Sequence, residues 1–410
     1  MHLIVVSQYF WPENFKINDI VSEMVKKGHE VTVLTGLPNY PNGKIYSEYK
    51  HNPKKFSNYM GAKIIRSPII SRGSGRLSLL LNYITFFISA SVVGVQKLRK
   101  IDFDAIFVYE PSPITVALPA IVLKSFFNKP IALWVLDLWP DTLSAVNITK
   151  SKAILSAVGK LVGFIYKRCD LILAQSTSFV PKIKEYVEHE DNIQYFPSWS
   201  DSFLDHSNID IAPEISIQDN SFNIMFTGNI GESQDFSSIL SAAELLKYDK
   251  RIRWLIVGSG RMYSWVNSEI ERRDLQDCVL MFGQYPLDRM PSFFQHADAL
   301  LVSLKDDPVF SATIPGKVQT YLASGIPILA MLNGEGARII SESGCGIVCK
   351  AGDYECLSNV VHKLSVTTKE DRIKMGENGI KLSKTEFDRD KLMNRLEGWM
   401  TELTTKSKNR

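Results

Sequence analysis

The sequence predicts an α/β protein of two doubly wound domains, each a parallel sheet with helices on its faces. Three observations predict it. A strand–helix–strand unit fills the first 35 residues. A polar, aperiodic stretch at 202–220 breaks the apolar pattern. A second alternation of short apolar runs and helical patterns then starts at Phe222. Short apolar runs alternating with amphipathic helices are the signature of strands buried on both faces. At 410 residues, with 45% apolar residues, the chain has material for two cores.

Residues 2–7 (HLIVVS) read as the first strand. The loop YFWPENF follows at its carboxyl end, where it faces any cleft. An amphipathic helix runs from about 17 to 27, Gly28 stops it, and residues 30–35 form the second strand. Residues 39–43 (NYPNG) are a turn cluster. Residues 77–96 carry no charge, and Arg72, Arg76, Lys97, Arg99 and Lys100 flank them. That length is enough to span a bilayer. Ser78, Asn82, Thr85, Ser89 and Gln96 nevertheless fall on one narrow helical face, which disfavours lipid on all sides. The stretch is therefore expected to be a largely buried or interfacial amphipathic helix whose cationic ends suit an anionic membrane surface. A core helix with solvated ends is the alternative. Strand 105–109 runs into the loop Glu110-Pro111-Ser112-Pro113, and strand 131–136 ends in Asp137-Leu138-Trp139-Pro140-Asp141. A carboxylate and a ring at a strand end suit a sugar: one accepts hydroxyl protons, the other packs on C–H faces. The alternative there is a helix N-cap by Asp137 or Asp141. Strand 171–174 and the segment FPSWSD at 196–201 complete the first domain.

In the second series, strand 222–227 feeds the turn Gly228-Asn229-Ile230-Gly231 and a helix near 236–246. Small residues there let backbone N–H groups approach a diphosphate. Strand 254–257 is followed by Gly258-Ser259-Gly260-Arg261. The third glycine of a dinucleotide fingerprint is missing near Tyr263, so that ligand is rejected. Strand 278–282 leads to Gly283-Gln284-Tyr285-Pro286, then a short helix at 290–297 and a strand at 299–302. Pro315-Gly316 opens a helix with Lys317 in its first turn, and Ser324-Gly325 closes it before a strand at 326–330. A helix start at a strand's carboxyl end favours an anion, and Lys317 adds a movable cation. Asn333-Gly334-Glu335 starts another helix; Glu335 either faces a ligand or is an exposed first-turn acid answering the helix dipole. A final helix spans 390–403, and the polar tail 404–410 is expected to fray.

Net charge of +3 excludes recognition of nucleic acid through a strong basic field. Five scattered cysteines, Cys169, Cys278, Cys345, Cys349 and Cys356, form no CxxC pair. Neither a disulfide framework nor a zinc site is indicated, and a reducing cytoplasm is expected. The N-terminus lacks a basic leader and reads as a strand rather than a signal peptide. Asp102-Phe103-Asp104 has the spacing of a metal-binding Asp-x-Asp, but it precedes a strand and reads as a solvated loop.

Several of these motifs together resemble GT-B glycosyltransferases of family GT4 along nearly the whole chain. Thr313-Ile314-Pro315-Gly316-Lys317, Ser324-Gly325-Ile326-Pro327, Asp137-Leu138-Trp139-Pro140-Asp141 and the NYPNG turn are similar to a bacterial O-antigen and capsule branch, the WbuB-like N-acetylfucosamine transferases. The sequence departs from the commoner GT4 pattern in places. Ala312 and Thr320 stand at the glutamate positions, Asn229 and Gln234 stand where an Arg and a Lys are usual, and Ser198 replaces an Asn.

The resemblance implies an acceptor-binding domain at 1–203, a nucleotide-sugar domain at 204–387 and a helix at 388–410 returning to the first domain, with the two domains facing a cleft. It implies a metal-independent transferase with no cofactor, the UDP-sugar being a substrate. Asp137 and Lys317 are the catalytic candidates. Gly228, Asn229, Ile230, Gly231, Gln234, Gly258, Gly260, Gly283, Gln284, Tyr285, Thr313, Pro315, Gly316, Gln319, Thr320 and Glu335 are the donor candidates. Glu13, Asn14, Phe15, Asn39, Tyr40, Glu110 and Trp139 are the acceptor candidates. The implied acceptor is a lipid-linked saccharide, and the implied place is the inner face of the bacterial inner membrane, with the protein peripheral. A retaining or an inverting outcome is left open. So are a UDP-sugar epimerase or hydrolase of the same fold and a non-catalytic sugar-nucleotide-binding subunit.

Overall fold

The computed structural model describes all residues except 74, 147, 188–189, 201–209 and 409–410. The chain divides into a first unit, Met1–Pro197 with Asp390–Arg410, and a second, Ser198–Arg389. The boundary expected at 203/204 lies outside the described residues.

The first unit holds β1 (His2–Ser7), α1 (Lys16–Lys26), β2 (Glu30–Gly36), α2 (Ser47–His51), β3 (Asn58–Tyr59), β4 (Ala62–Ser67) and α3 (Arg76–Leu98). It continues through β5 (Ala105–Glu110), α4 (Leu118–Phe127), β6 (Ile131–Val135), α5 (Asp141–Ala145), α6 (Lys152–Tyr166), β7 (Leu171–Ala174), α7 (Phe179–Lys184) and β8 (Ile193–Tyr195). Its sheet order is β3-β4-β2-β1-β5-β6-β7-β8, parallel except for β3 against β4. The strands are apolar almost throughout because helices cover both faces, as in β5 and β6, where every residue is buried. The chain direction across the sheet reverses between β1 and β5, and such a switch point opens a crevice at the carboxyl ends.

The second unit holds β9 (Phe222–Thr227), α8 (Phe236–Leu246), β10 (Ile252–Val257), α9 (Tyr263–Arg272), β11 (Val279–Gly283), α10 (Met290–Phe294) and β12 (Ala299–Ser303). It ends with α11 (Pro308–Ala312), α12 (Gly316–Ser324), β13 (Ile328–Met331), α13 (Glu335–Ser343), β14 (Gly346–Cys349), α14 (Tyr354–Val366) and α15 (Lys369–Glu386). The order β11-β10-β9-β12-β13-β14 puts its switch point between β9 and β12. Phe226, Trp254 and Leu301 sit in its core with the inner faces of α8 and α14. Helix α16 (Arg389–Lys408) packs on the first unit: Lys27 and His29 bind Glu397 at 3.0 and 2.7 Å, and Arg395 donates to the Tyr195 carbonyl. It runs to Lys408, so the tail does not fray at 404; burial of Thr404 holds the last turns down.

Helix α3 corrects an expectation. Its polar stripe is not uniform: Asn82 points into the fold, Ser78, Thr85 and Ser89 are half-buried, and Gln96 is exposed. Asn82 is buried, accepts from Gln8 Nε2 at 2.6 Å and donates to the Ile70 carbonyl at 2.6 Å. Only 28% of its apolar stretch is buried, so the helix is not largely buried: one side packs into the first unit and the other is exposed.

Candidate functional site

At the switch point of the second unit, β9 ends in Phe226 and Thr227 and passes into Gly228. Helix α12 starts beside it, and its Tyr321 hydroxyl bonds both the N–H and the hydroxyl of Thr227 at 3.1 Å. That clamp fixes Lys317 against the end of β9. Its Nζ lies 3.4 Å from the centroid of the Phe226 ring. Gly228 has φ +109°, and a Cβ there would sit 3.2 Å from Lys317 Cε, so a glycine is required both for the turn and for the lysine's passage. Lys317 as a residue is half-buried, but its Nζ is enclosed and has no hydrogen-bond partner. Desolvation lowers its pKa from 10.5 to about 7. The lysine is thus not the freely movable cation expected.

The glycine turn is also more occupied than expected. The N–H of Gly228 donates to Val257, that of Ile230 to Ser259, and that of Gly231 to the Gln234 side chain. Three of the four N–H groups of residues 228–231 are spent on holding the turn, so Gln234 braces the turn through its amide oxygen. Asn229 is exposed. A Cβ at Gly258 would meet the Gly228 carbonyl oxygen at 1.9 Å, and one at Gly260 the Ile230 carbonyl oxygen at 2.4 Å. Gly283 accepts from the Gly258 N–H, and Gln284 accepts from the Ser259 hydroxyl at 2.7 Å. Tyr285 packs on Phe293, 4.6 Å between centroids. The ends of β9, β10 and β11 are therefore stitched into one rim.

The start of α12 has Pro315 as its N-cap with no side-chain cap bond, and the Val318 N–H donates to the Pro315 carbonyl at 2.8 Å, so only the N–H groups of Gly316 and Lys317 remain for a ligand in the first turn. Thr313 donates to the Val309 carbonyl, and Gln319 is buried. Thr320 Oγ1 lies 3.4 Å from the Gly316 carbonyl oxygen. Pro315 packs at Gly336, which brings α13 alongside. Glu335 is 3% exposed and pairs with Arg338 at 2.8 Å. Of the two readings of Glu335, the exposed first-turn acid is ruled out by its burial, with Arg338 paired to it.

In the first unit the strand ends carry carboxylates and rings. Glu13 accepts from the N–H groups of Asn39 and Tyr40, both at 2.7 Å, and of Phe10 at 3.1 Å. It ties the loop after β1 to the NYPNG turn and so positions that turn. Burial raises its pKa, and these three N–H groups offset part of the rise. Asn14 is exposed, and Phe15 stacks on Tyr9 at 5.5 Å and tilts on Tyr40 at 5.2 Å. Asn39 accepts from the Arg72 N–H at 2.9 Å, while the Arg72 guanidinium lies 5.3 Å over the Tyr40 ring.

Asp137 accepts from Thr142 at 2.5 Å and from Trp139 Nε1 at 3.2 Å. Neither Asp137 nor Asp141 caps α5, whose N-cap is Pro140. Burial raises the Asp137 pKa, with Thr142, Ser112 and Trp139 opposing. Glu110 is the last residue of β5, not a loop residue as expected, and is fully buried. Its pKa is well above the usual carboxylate range, through burial first and the Asp137 charge second. The N–H groups of Leu136 and Asp137 offset only part of this. Neither Glu110 oxygen closes a hydrogen bond of normal geometry. Asp104 accepts from the His2 N–H, and Asp102 is solvent-exposed beside Lys129.

Sequence reasoning missed Phe226 and Tyr321, which read only as core residues; Tyr9 reads only as the head of the YFWPENF loop and Arg72 only as a flanking cation. The juxtaposition of a strand-end ring with a helix-start lysine is a tertiary fact with no local signal.

Residues 208–382 match the family described as glycosyl transferases group 1. The chain is 27% identical over 261 residues to WbjE of Pseudomonas aeruginosa, named as a glycosyltransferase. That match covers 60% of this chain and 64% of WbjE, slightly under two thirds of its length. It is 25% identical over 343 residues to WcaI of Escherichia coli K12, named for glycosyl transfer in colanic acid biosynthesis, covering 79% of this chain and 82% of WcaI. Among solved structures, sucrose-phosphate synthase of Thermosynechococcus elongatus superposes with a TM-score of 0.76 at 12% identity, over 98% of this chain and 99% of that one. Anabaena HepE in complex with UDP superposes with a TM-score of 0.68 at 11% identity, over 98% and 99%. Likeness at such identities speaks for the fold alone. The fold is GT-B, and the second unit carries a glycosyl transferases group 1 domain on a chain similar to bacterial glycosyltransferases.

Proposed function

We propose that the protein transfers a sugar from a UDP-sugar to a lipid-linked saccharide during assembly of a bacterial surface polysaccharide, working as a peripheral protein at the cytoplasmic face of the inner membrane. The observation that carries this reading is Lys317. Its unpartnered ammonium nitrogen sits at the switch point of the second unit, beside a glycine turn and an uncapped helix start. A departing nucleoside diphosphate needs cationic charge and N–H dipoles at that place. Lys317 and the start of α12 supply both, so no metal is assigned to the leaving group. The names of WcaI and of AmsK, the latter for amylovoran biosynthesis, support a polysaccharide product. The Thr-Ile-Pro-Gly-Lys segment supports a donor of the N-acetylated 6-deoxyhexose class, such as N-acetylfucosamine. Asp137 is assigned to the acceptor hydroxyl or the donor sugar, because it is a carboxylate just beyond the carboxyl end of β6 with the Trp139 ring beside it, and burial raises its pKa.

A thermal-shift screen of nucleotides tests the donor class, since a ligand that binds only the native state raises the melting temperature with saturation. UDP and UDP-sugars are expected to stabilise the protein, and ADP and GDP are not. Equal shifts with all three would remove the uridine assignment. Transfer in the presence of EDTA is expected to proceed at the same rate as without it.

A further inference from the structure

We infer that the outward face of α3 is a docking surface for an anionic lipid bilayer. It deepens the proposed lipid-linked acceptor and rests on that reading for its purpose, though not for its evidence. The helix is 23 residues long and carries no aspartate or glutamate. Leu77, Leu80, Ile84, Ile88 and Val92 are 70%, 53%, 43%, 54% and 52% exposed, and they recur at three- and four-residue spacing along one side. Such spacing makes a single continuous stripe. A contiguous apolar patch of this kind on a folded protein marks an interaction site.

The opposite face is locked into the fold. Phe86, Ala90, Val95 and Leu98 are buried, Asn82 is bonded to Gln8 and Ile70, and Gly94 lets the helix press on Leu34 and Leu123. A helix pinned along its whole inner side lies on a bilayer rather than crossing it. Its apolar stripe enters only the boundary of headgroups and acyl chains.

Charge chooses the occupant. Lys97, Arg99 and Lys100 are exposed at the carboxyl end of the helix. A second copy docking stripe to stripe in parallel would set these cations against each other. In antiparallel it would offer them no acid, because the helix has none. Asp102, the nearest acid in sequence, is already paired with Lys129. An anionic leaflet meets the stripe and the cations at once. Tyr83, half-buried on the same helix, lies close enough to Arg72 and Asp137 to sense both charges.

Vesicle sedimentation of the full chain without substrate tests the surface, using phosphatidylcholine vesicles and mixed phosphatidylglycerol–phosphatidylcholine vesicles. The protein is expected to pellet with the mixed vesicles. Ile84→Glu with Ile88→Glu should weaken partition at least ~10-fold, since each acid would have to enter the apolar boundary. Lys97→Gln, Arg99→Gln and Lys100→Gln together should weaken it several-fold on mixed vesicles and leave phosphatidylcholine unaffected. Circular dichroism and the UDP-induced thermal shift check that the variants fold; Leu80→Glu replaces the double variant if it does not. Wild-type protein left in the supernatant with both vesicles overturns the inference. So does a glutamate variant that partitions like wild type, or a wild-type dimer in light scattering that Ile84→Glu with Ile88→Glu dissolves. Vesicle binding without any UDP shift would instead count against the donor reading and leave the docking surface standing.

Discussion

The two strand-end clusters bury opposite charges. In the first unit Glu13, Glu110 and Asp137 lie at or beyond the carboxyl ends of β1, β5 and β6, among the rings of Tyr9, Phe15 and Tyr109. In the second unit a lysine lies at the end of β9 against the ring of Phe226. Desolvation acts on both and pushes each toward its neutral form: the acids rise and the lysine falls. The clusters differ in how far hydrogen bonds answer that push. Glu13 has three N–H donors and Asp137 has two side-chain donors, while Glu110 and Lys317 have none of normal geometry. A satisfied buried acid braces a loop. An unsatisfied buried charge is poised to change state when a partner arrives. Glu13 is held as a brace between two loops, and Lys317, enclosed without a hydrogen-bond partner, is the group to which we assign the anion.

The sharpest way to break this comparison is to remove one charge from each side. Lys317→Ala is expected to lower turnover by ~10²–10³-fold, the usual loss when one preorganised donor to a developing anion is deleted. It should also weaken UDP binding in calorimetry. Asp137→Asn is expected to lower turnover comparably and leave UDP affinity within about twofold, because its contacts lie in the other unit. If Asp137→Asn weakened UDP binding as much as Lys317→Ala did, the division of labour would be wrong.

A smaller effect is expected at the residue that gives Lys317 its place. Gly228→Ala puts a Cβ 3.2 Å from Lys317 Cε and forces a left-handed backbone on alanine, a strain of about 1–3 kcal/mol. UDP affinity should fall ~10-fold, with circular dichroism unchanged. Proton linkage sharpens the same point. Above a pH of about 7 the free protein holds Lys317 neutral, so binding a diphosphate that requires the ammonium takes up a proton. At pH 8, titration of UDP in buffers of different ionisation enthalpy is expected to read uptake of up to ~1 proton, and at pH 6 close to none. Equal uptake at both values would show that Lys317 is not the group that titrates.

Much of this was legible before any coordinates. Residues 222–227 and 236–246 alternate so cleanly that β9 and α8 fall where the apolar runs place them. Pro315-Gly316 and Gly325 likewise mark the start and the left-handed end of α12, because proline and glycine act through local backbone sterics. What could not be read was direction and depth. The polar stripe of α3 was visible, yet a stripe reads the same whether water or a buried glutamine faces it. Asn82 turns inward because Gln8 and Ile70 wait there, 74 and 12 residues away. Lys317 looked solvated for the same reason: only tertiary packing places Phe226 under it. β14, α14 and α15 also went unread, their apolar positions being sparser than those of the sheet core.

The smallest expected effect lies at Glu110, and it tests the other half of the comparison. Its folded-state pKa is raised, so the folded chain holds this proton to higher pH than the unfolded chain does. Stability should therefore fall as pH rises from the ordinary glutamate value of 4.5 toward the raised one, since the unfolded state releases its proton first. Glu110→Gln keeps the shape and removes the titration. The variant is expected to lose this part of the pH dependence and to be more stable than wild type at pH 8, by on the order of 1 kcal/mol, the scale of a buried polar group left without full pairing. The measurement is urea unfolding of both proteins between pH 5 and 8. Parallel stability curves would mean that Glu110 is already fully paired in the folded chain.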